Sequence, residues 1–311
     1  MTRILALLTL ALVIAVSAFS ATAHASVRLG LGEQSQSVFS DARFQSLGIK
    51  RMRIVTPWNA VHRSADRRYL DLWLETARNA GIEPLVTFTA APGSGCPRSP
   101  CLLPSAGSYA FAFRAFHRRW PWVRTISAWN EANHRSQPTF RRPDQAARYF
   151  NIVREYCRGC TVVAADVIDE RNMVPWLDIF KRYARGERIW GLHNYRDTNP
   201  RRGQRYGGTK LLLRSVRGKV WLTETGGIVK FVLPDGRTLF RHSEARANRA
   251  LGRMFRLAKS YRARIKRLYV YHWKQDSFAN RFDAGLLRAS GSPRASYRTV
   301  QRWLSTPWFS P

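Results

Sequence analysis

The stretch TISAWNEANH, residues 125–134, passes from apolar and β-branched residues directly into the pair Asn130-Glu131. Burying an ionised carboxylate costs several kcal/mol, so a buried strand has reason to end on one only if the charge is paired or used. A second stretch, VWLTETGG at residues 220–227, ends its apolar run on Glu224 in the same way. The fold has to explain both endings, and whether the two glutamates face each other.

Outward from these stretches the chain alternates short β-rich runs with amphipathic segments. The strand candidates are VRLGLG (27–32), KRMRIVTPW (50–58), EPLVTFTAA (83–91), TISAWNEAN (125–133), TVVAADVID (161–169), IWGLHNYRD (189–197), VWLTETGG (220–227) and RLYVYHW (267–273). Helical periodicity fills the gaps. DRRYLDLWLETARNAG (66–81) sets Leu70, Trp73, Leu74 and Ala77 on one face, with Gly81 as its stop. SYAFAFRAFHRRW (108–120), PDQAARYFNIVREYC (143–157) and HSEARANRALGRMFRLAKSY (242–261) read alike, with Asp144 and Glu244 in first turns, where negative charge suits the helix dipole. Strands alternating with helices predict a parallel sheet with crossover helices. Eight such units close most naturally into a single (β/α)8 TIM barrel, an α/β fold. A doubly wound open sheet is the alternative. It wants a Gly-rich phosphate loop after its first strand, and LGLGEQSQS is a faint version of one.

Residues 1–25 stand apart. Thr2-Arg3 precede an apolar run from Ile4 to about Phe19, and Ala23-His24-Ala25 fits the small-x-small cleavage rule. A secretory signal peptide cut before Ser26 is expected, with an uncleaved anchor as the alternative. The protein is then secreted or held at the cell envelope. Residues 26–311 carry no linker or short repeat and suffice for one domain with a large core. In an exported chain the cysteines, spaced as Cys96/Cys101 and Cys157/Cys160, read as two local disulfides. The Cys157-x-x-Cys160 spacing also occurs in redox and zinc sites, but no thioredoxin-like pattern or second Cys/His pair accompanies it.

The formal net charge is +32, from 52 basic against 20 acidic residues. Two readings stand. The charge is a solvated surface shaped by Arg-biased composition, or it attracts an anionic partner: an acidic polysaccharide, the cell envelope or nucleic acid. Export and the lack of a nucleic-acid-binding motif set specific nucleic acid recognition aside. A monomer is expected.

In a TIM barrel the working end is the C-terminal end of the strands, and unusual polar residues gather there. The second run holds Arg53 and ends in Trp58-Asn59. The fourth ends in Asn130-Glu131, and the sixth carries His193, Asn194 and Tyr195. The seventh ends at Glu224 and the eighth at His272-Trp273. Two carboxylates at one barrel mouth suit glycosidic bond cleavage: one protonates the leaving oxygen and the other attacks the sugar carbon. Separations of roughly 5–5.5 Å go with retention and roughly 6.5–9.5 Å with inversion. The fourth and seventh strands put the pair across the pore, at a distance that fits retention. The second carboxylate is expected to raise the pKa of the proton donor. Either glutamate alone reads equally as a salt-bridge partner in an Arg-rich chain. Asp166 in the fifth run and Glu33 after the first are weaker candidates for substrate contact. His117, His134 and His242 have no partners at metal-ligand spacing, so no metal site is predicted, and no Gly-x-Ser-x-Gly elbow is present for an esterase.

AWNEAN followed by LTETGG, on the fourth and seventh strands, resembles the clan A glycoside hydrolases, retaining (β/α)8 enzymes with an Asn-Glu acid/base on strand four and a Glu nucleophile on strand seven. The resemblance covers nearly all of residues 26–311, in order. It implies that Glu131 is the acid/base, Glu224 the nucleophile and Asn130 a hydrogen-bonding partner of a sugar 2-hydroxyl. It further implies that Tyr195 in HNY holds Glu224 and His193 lines the cleft. Arg53 in MRIVTPW would support the nucleophile, and Trp273 would be the strand-eight aromatic under the sugar. Trp58 and Trp273 are large apolar rings that suit either stacking on a sugar face or packing in the core. The clan's usual Pro after the acid/base is Ala132 here, a change of backbone and not of chemical group. Within the clan, WNEAN and the short barrel resemble families 39 and 5 and the smaller β-1,3-glucanase barrels. The implied activity is hydrolysis of O-glycosyl bonds in a β-linked polysaccharide or glycoconjugate by double displacement, with no cofactor. A non-catalytic carbohydrate-binding barrel is the alternative, but it has no need of two opposed, mutually repelling carboxylates. The loop 91–107 and the basic segment 198–210 are expected to wall the cleft, the second favouring acidic glycans.

Overall fold

The computed structural model describes residues 26–93, 101–201 and 207–311. The expected signal peptide, the Cys96 half of the first cysteine pair and parts of both expected cleft loops lie outside these residues. The described strands, numbered in chain order, form two sheets. The wall of the larger is built from β1 (Val27–Gly32), β2 (Arg51–Pro57), β3 (Glu83–Thr89), β4 (Thr125–Ser127), β5 (Thr161–Val163), β6 (Asp166–Ile168), β7 (Ile189–His193), β8 (Lys219–Thr225) and β11 (Ile265–Tyr271). All pair in parallel, in the order β5-β4-β3-β2-β1-β11-β8-β7-β6. β5 and β6 are successive pieces of the fifth predicted strand. Between them the Ala164 N–H donates to Ile189 O, and the Gly191 N–H to Ala165 O, each at 2.8 Å, so β7 meets the same stretch that continues from β4's neighbour. The eight predicted runs thus close into the (β/α)8 barrel.

The helices are α1 (Ala42–Ser46), α2 (Ser64–Asn79), α3 (Ala106–Arg119), α4 (Pro143–Tyr156), α5 (Met173–Tyr183), α6 (Tyr195–Thr198), α7 (Gly208–Ser215), α8 (Glu244–Ser260) and α9 (Ala295–Leu304). α2 buries the predicted Leu70, Trp73, Leu74 and Ala77 against the outer wall. Each such large side chain, fully buried, contributes about 1.5–3 kcal/mol. α2 stops before Gly81, which adopts φ +66°, a conformation that glycine takes without a Cβ penalty. Pro143 opens α4, and the Ser243 side chain caps α8 by accepting from the Arg246 N–H. The disulfide Cys157–Cys160 joins the end of α4 to the approach of β5.

Alternation along the strands sorts the wall residues into two cores. Val86, Leu222, Leu268 and Val270 belong to the outer core shared with the helices. Leu85, Val163, Trp221 and Tyr269 form a separate cluster inside the barrel. A Cβ on Gly30 would stand 2.5 Å from the Tyr269 ring, so the missing side chain makes room for that plug. Two residues further along β3 and β8 the inward positions are Thr87 and Thr223. With Arg53, Ser127 and Asp166 they make a buried polar layer above the apolar plug. That layer is the floor of the site.

Two local readings change. The fourth run is strand only to Ser127, and Asn130-Glu131 lie in the turn that follows. The sixth run is strand only to His193, and Tyr195 begins α6. A second sheet, absent from the sequence reading, joins β9 (Lys230–Val232), β10 (Thr238–Phe240) and β12 (Phe282–Asp283) antiparallel. It grows from the segments after β8 and β11, at the working end. β13 (Phe309–Ser310) pairs with the start of β1.

Candidate active site

The turn after β4 aims its carboxylate by unusual means. Glu131 has φ +44°, the one positive φ outside glycine among the described residues. The left-handed region costs a side-chain-bearing residue roughly 1–2 kcal/mol. The turn is held against that cost. The Ala132 N–H donates to Asp166 O at 2.9 Å, and buried Asn133 takes the Ile168 N–H at 2.8 Å while donating to Ile168 O at 2.9 Å. β6 therefore positions Glu131.

Glu224, near the end of β8, is held from two sides. The Arg53 Nη1 donates to its Oε2 at 2.7 Å, and the Tyr195 hydroxyl donates to its Oε1 at 3.0 Å. Arg53 is 1 % exposed and also donates to Asn130 Oδ1 at 2.5 Å and Thr87 Oγ1 at 3.2 Å. Its Nη2 lies 3.4 Å from Asp166 Oδ2. His193 Nδ1 lies 3.1 Å from Glu131 Oε1 and 3.8 Å from Glu224 Oε2, so those two oxygens are no farther apart than the two distances laid end to end. Glu33, Gln34, Arg53, Asn130, Glu224 and Tyr271 line a cavity of about 280 Å³, which Glu224 borders and Glu131 does not.

The electrostatics follow from the geometry. Burial opposes charge on the His193 ring, but Asp166, Glu224 and Glu131 outweigh it and push its pKa up to about 10. Burial would raise the Asp166 carboxyl, yet His193 and Arg53 hold it down to about 2. Glu131 departs from the sequence expectation. Burial acts to raise its pKa, but the hydrogen bond and charge of His193, with His134 and Arg53, bring it below the usual carboxylate value. The neighbouring carboxylate was expected to set this pKa, but His193, 3.1 Å from Glu131 and 3.8 Å from Glu224, outweighs it.

Of the predicted residues, Arg53, Asn130, Glu131, His193, Tyr195 and Glu224 form one network. His193 does not line the cleft: it is fully buried beneath both glutamates. Trp273 does not present a face to the cavity either. It is 3 % exposed, packs edge-on against Phe44 and Tyr297, and donates its indole N–H to Asp41 at 3.1 Å. The β11 aromatic at the cavity is Tyr271, two residues earlier, because the segment after β11 turns Trp273 into the outer core. Trp58 is partly buried and lies parallel to Tyr109 at 6.3 Å. Glu33 is a clamp: its oxygens accept backbone N–H groups of Gln34 and Ser35 after β1 and of Trp273 and Lys274 after β11. Asp166 is more central than the sequence suggested. The available signal was a charged residue at an inward position of an otherwise apolar strand. Tyr271 and Gln34 gave none.

No family model matches the sequence, and no curated protein matches it. Solved structures do resemble it. A family 39 glycoside hydrolase from the gut symbiont Bacteroides cellulosilyticus WH2 superposes with a TM-score of 0.64 at 15 % identity over 91 % of this chain. The chain spans 64 % of the length of that protein. An endo-1,4-beta-xylanase from Caldicellulosiruptor owensensis gives 0.59 at 13 % identity, covering 89 % of this chain and 97 % of its own. A family 1 β-glucosidase from Thermotoga maritima gives 0.58 at 13 %, covering 86 % and 85 %. At these identities the likeness establishes the barrel fold.

Proposed function

We propose that this protein is an exported retaining glycoside hydrolase that cleaves a β-linked polysaccharide or glycoconjugate by double displacement. The observation that carries the reading is a pair of carboxylates at the barrel mouth, Glu131 and Glu224, which lie 3.1 and 3.8 Å from one imidazole nitrogen, with Glu224 lining the cavity. Glu224, fixed by Arg53 and Tyr195, attacks the anomeric carbon. Glu131 protonates the leaving oxygen, then deprotonates the water that releases the sugar. The bound on their separation leaves room for the short spacing of a covalent intermediate. Asn130 reaches the cavity from the same turn as Glu131 and is suited to a sugar hydroxyl. Barrel relatives named for xylan and β-glucoside cleavage support a β-linked substrate. The apolar leader supports export, and the net charge supports association with an anionic envelope or glycan.

A reducing-end assay on neutral and acidic β-linked polysaccharides tests the reading. Glu131→Gln is expected to lower kcat/KM by about 10²–10⁴-fold, the usual worth of a general acid, and Glu224→Gln to abolish turnover. Binding to a panel member without cleavage, unchanged in both variants, would replace the hydrolase by a carbohydrate-binding barrel.

A further inference from the structure

The cleft floor contains a third carboxylate that double displacement does not use. Asp166 is fully buried on β6. Its place is built into the wall: the facing residue on β7 is Gly191, where a Cβ would stand 2.4 Å from Asp166 Oδ1. The Ser127 and Thr223 hydroxyls donate to the carboxylate. Its Oδ1 lies 3.3 Å from His193 Nε2, while the opposite ring nitrogen lies 3.1 Å from Glu131. A neutral imidazole has one N–H and one lone pair, so it can satisfy only one of two flanking carboxylates. Both are satisfied when both nitrogens carry protons.

We propose that Asp166 is a positioning residue that completes an Asp166–His193–Glu131 chain and keeps on the imidazole the proton that Glu131 delivers to the leaving oxygen. The inference rests on the hydrolase reading of Glu131 and Glu224. The resting cleft, with Glu131 ionised and His193 doubly protonated, holds the same number of protons as the reacting cleft, with Glu131 protonated and His193 neutral. One transfer from Nδ1 interconverts them. As the bond from the sugar carbon to the leaving oxygen breaks and the bond to Glu224 forms, the Glu131 proton goes to the leaving oxygen. The ring then retains only its Nε2–H toward Asp166. As water attacks and the bond to Glu224 breaks, the water proton passes to Glu131 and returns to Nδ1. The charged groups facing the ring are Asp166 on β6, Glu131 after β4, Glu224 on β8 and Arg53 on β2, whose Nη2 lies 3.3 Å from Nε2. His134 lies 4.0 Å from the far oxygen of Glu131. Three carboxylates outweigh one guanidinium, which agrees with a ring pKa pushed up to about 10 despite burial. The pair, rather than either group, then sets the alkaline limb of the reaction.

Ring nitrogen NMR of labelled protein reads this directly, with His193 assigned by its loss in His193→Gln. The expected spectrum has both nitrogens protonated from about pH 6 to about pH 9, where an unperturbed histidine loses its proton. In Asp166→Asn, with the fold verified by circular dichroism, the ring should titrate at least about one pH unit lower, a tenfold weaker hold on the proton. In Glu131→Gln the ring should stay protonated beyond about pH 7 on Asp166 and Glu224. A neutral ring at about pH 7 in the unsubstituted protein, or an unmoved titration in Asp166→Asn, overturns the proposal. Should the Asn variant not fold, the unsubstituted and Glu131→Gln spectra decide. On any glycoside that is cleaved, the alkaline limb of kcat/KM should move down with the ring in Asp166→Asn. A limb that stays while the ring moves overturns the proton-supply role. A protein that cleaves no glycoside loses the hydrolase reading and that role with it, while the titration still reports the hold of Asp166 on the ring.

Discussion

Arg53 shows how single side chains carry this site. It is the buried cation among Asp166, Glu224 and the Asn130 carbonyl. Replacing it with Met leaves two carboxylates without their partner, which costs about 3–5 kcal/mol when a buried pair is broken. Urea unfolding of Arg53→Met should show that loss. Tyr195→Phe removes only the hydroxyl that reaches Glu224, and hydrogen bonds to charged groups are worth about 1.5–3 kcal/mol. A fall in kcat/KM of about tenfold or more is expected, with a melting temperature lowered by a few degrees. The titrating pair also shapes stability against pH. Asp166 is depressed to about 2, so its contribution is present above the ordinary carboxylate range and lost as pH falls through that value. His193 is raised to about 10, so its contribution is full below about 6.5 and lost as pH rises through its folded value. Chemical unfolding followed from acid to alkali should therefore decline at both ends.

Among the elements, the connections after the strands do more than the strands. Asp169, fully buried after β6, accepts the N–H groups of Arg196 and Asp197 and so seats α6, which begins with Tyr195. Burial and Asp197 push its pKa well up. At Gly227, between β8 and α8, a Cβ would stand 2.0 Å from Ala247 O. Gly227→Ala is expected to destabilise by about 1–3 kcal/mol, the usual cost of overpacking, with Glu224 displaced and activity falling alongside. The elements themselves were legible. Periodicity placed α2 within two residues at each end, because its buried face is a local property of the side chains. The turn after β4 was not legible as a turn. Trp129 and Ala132 are as apolar as the strand they follow, and the backbone bonds that bend the chain come from β6, more than thirty residues away. The small β9-β10-β12 sheet was missed because its strands have three residues or fewer and little alternation. It matters to the cleft, since the Phe282 ring meets Tyr195 at 5.7 Å and Tyr271 at 6.1 Å.

Over the whole molecule the excess of basic residues bears on what the protein associates with rather than on its fold. Clusters of like charge are present on the helices: Arg249 and Arg256 depress the Arg253 guanidinium of α8, after burial. If acidic glycans are the partners, their binding should weaken steeply between low salt and about 0.5 M, because the screening length falls well under 10 Å. Cleavage of a neutral β-linked glycan should respond little. A parallel pair of titrations with a uronic polymer and a neutral glucan separates the two. Equal salt response for both would leave the charge as a solvated surface.

The barrel was written in local patterns: eight β-rich runs, the helices between them, and carboxylates at two strand ends. Those follow from side-chain period and turn chemistry, which need only neighbours in the chain. The electrostatic state of the site needed the closed barrel. The pKa of Glu131 reversed its expected direction because His193, from β7, came to lie 3.1 Å from it and 3.8 Å from Glu224. Trp273 left the cleft because Glu33 and Asp41, more than two hundred residues away in the chain, bind its backbone and its ring. Charge interactions in a buried site are weakly screened, so their net sign depends on which charged residues the strand register brings together. No period in the sequence encodes that register.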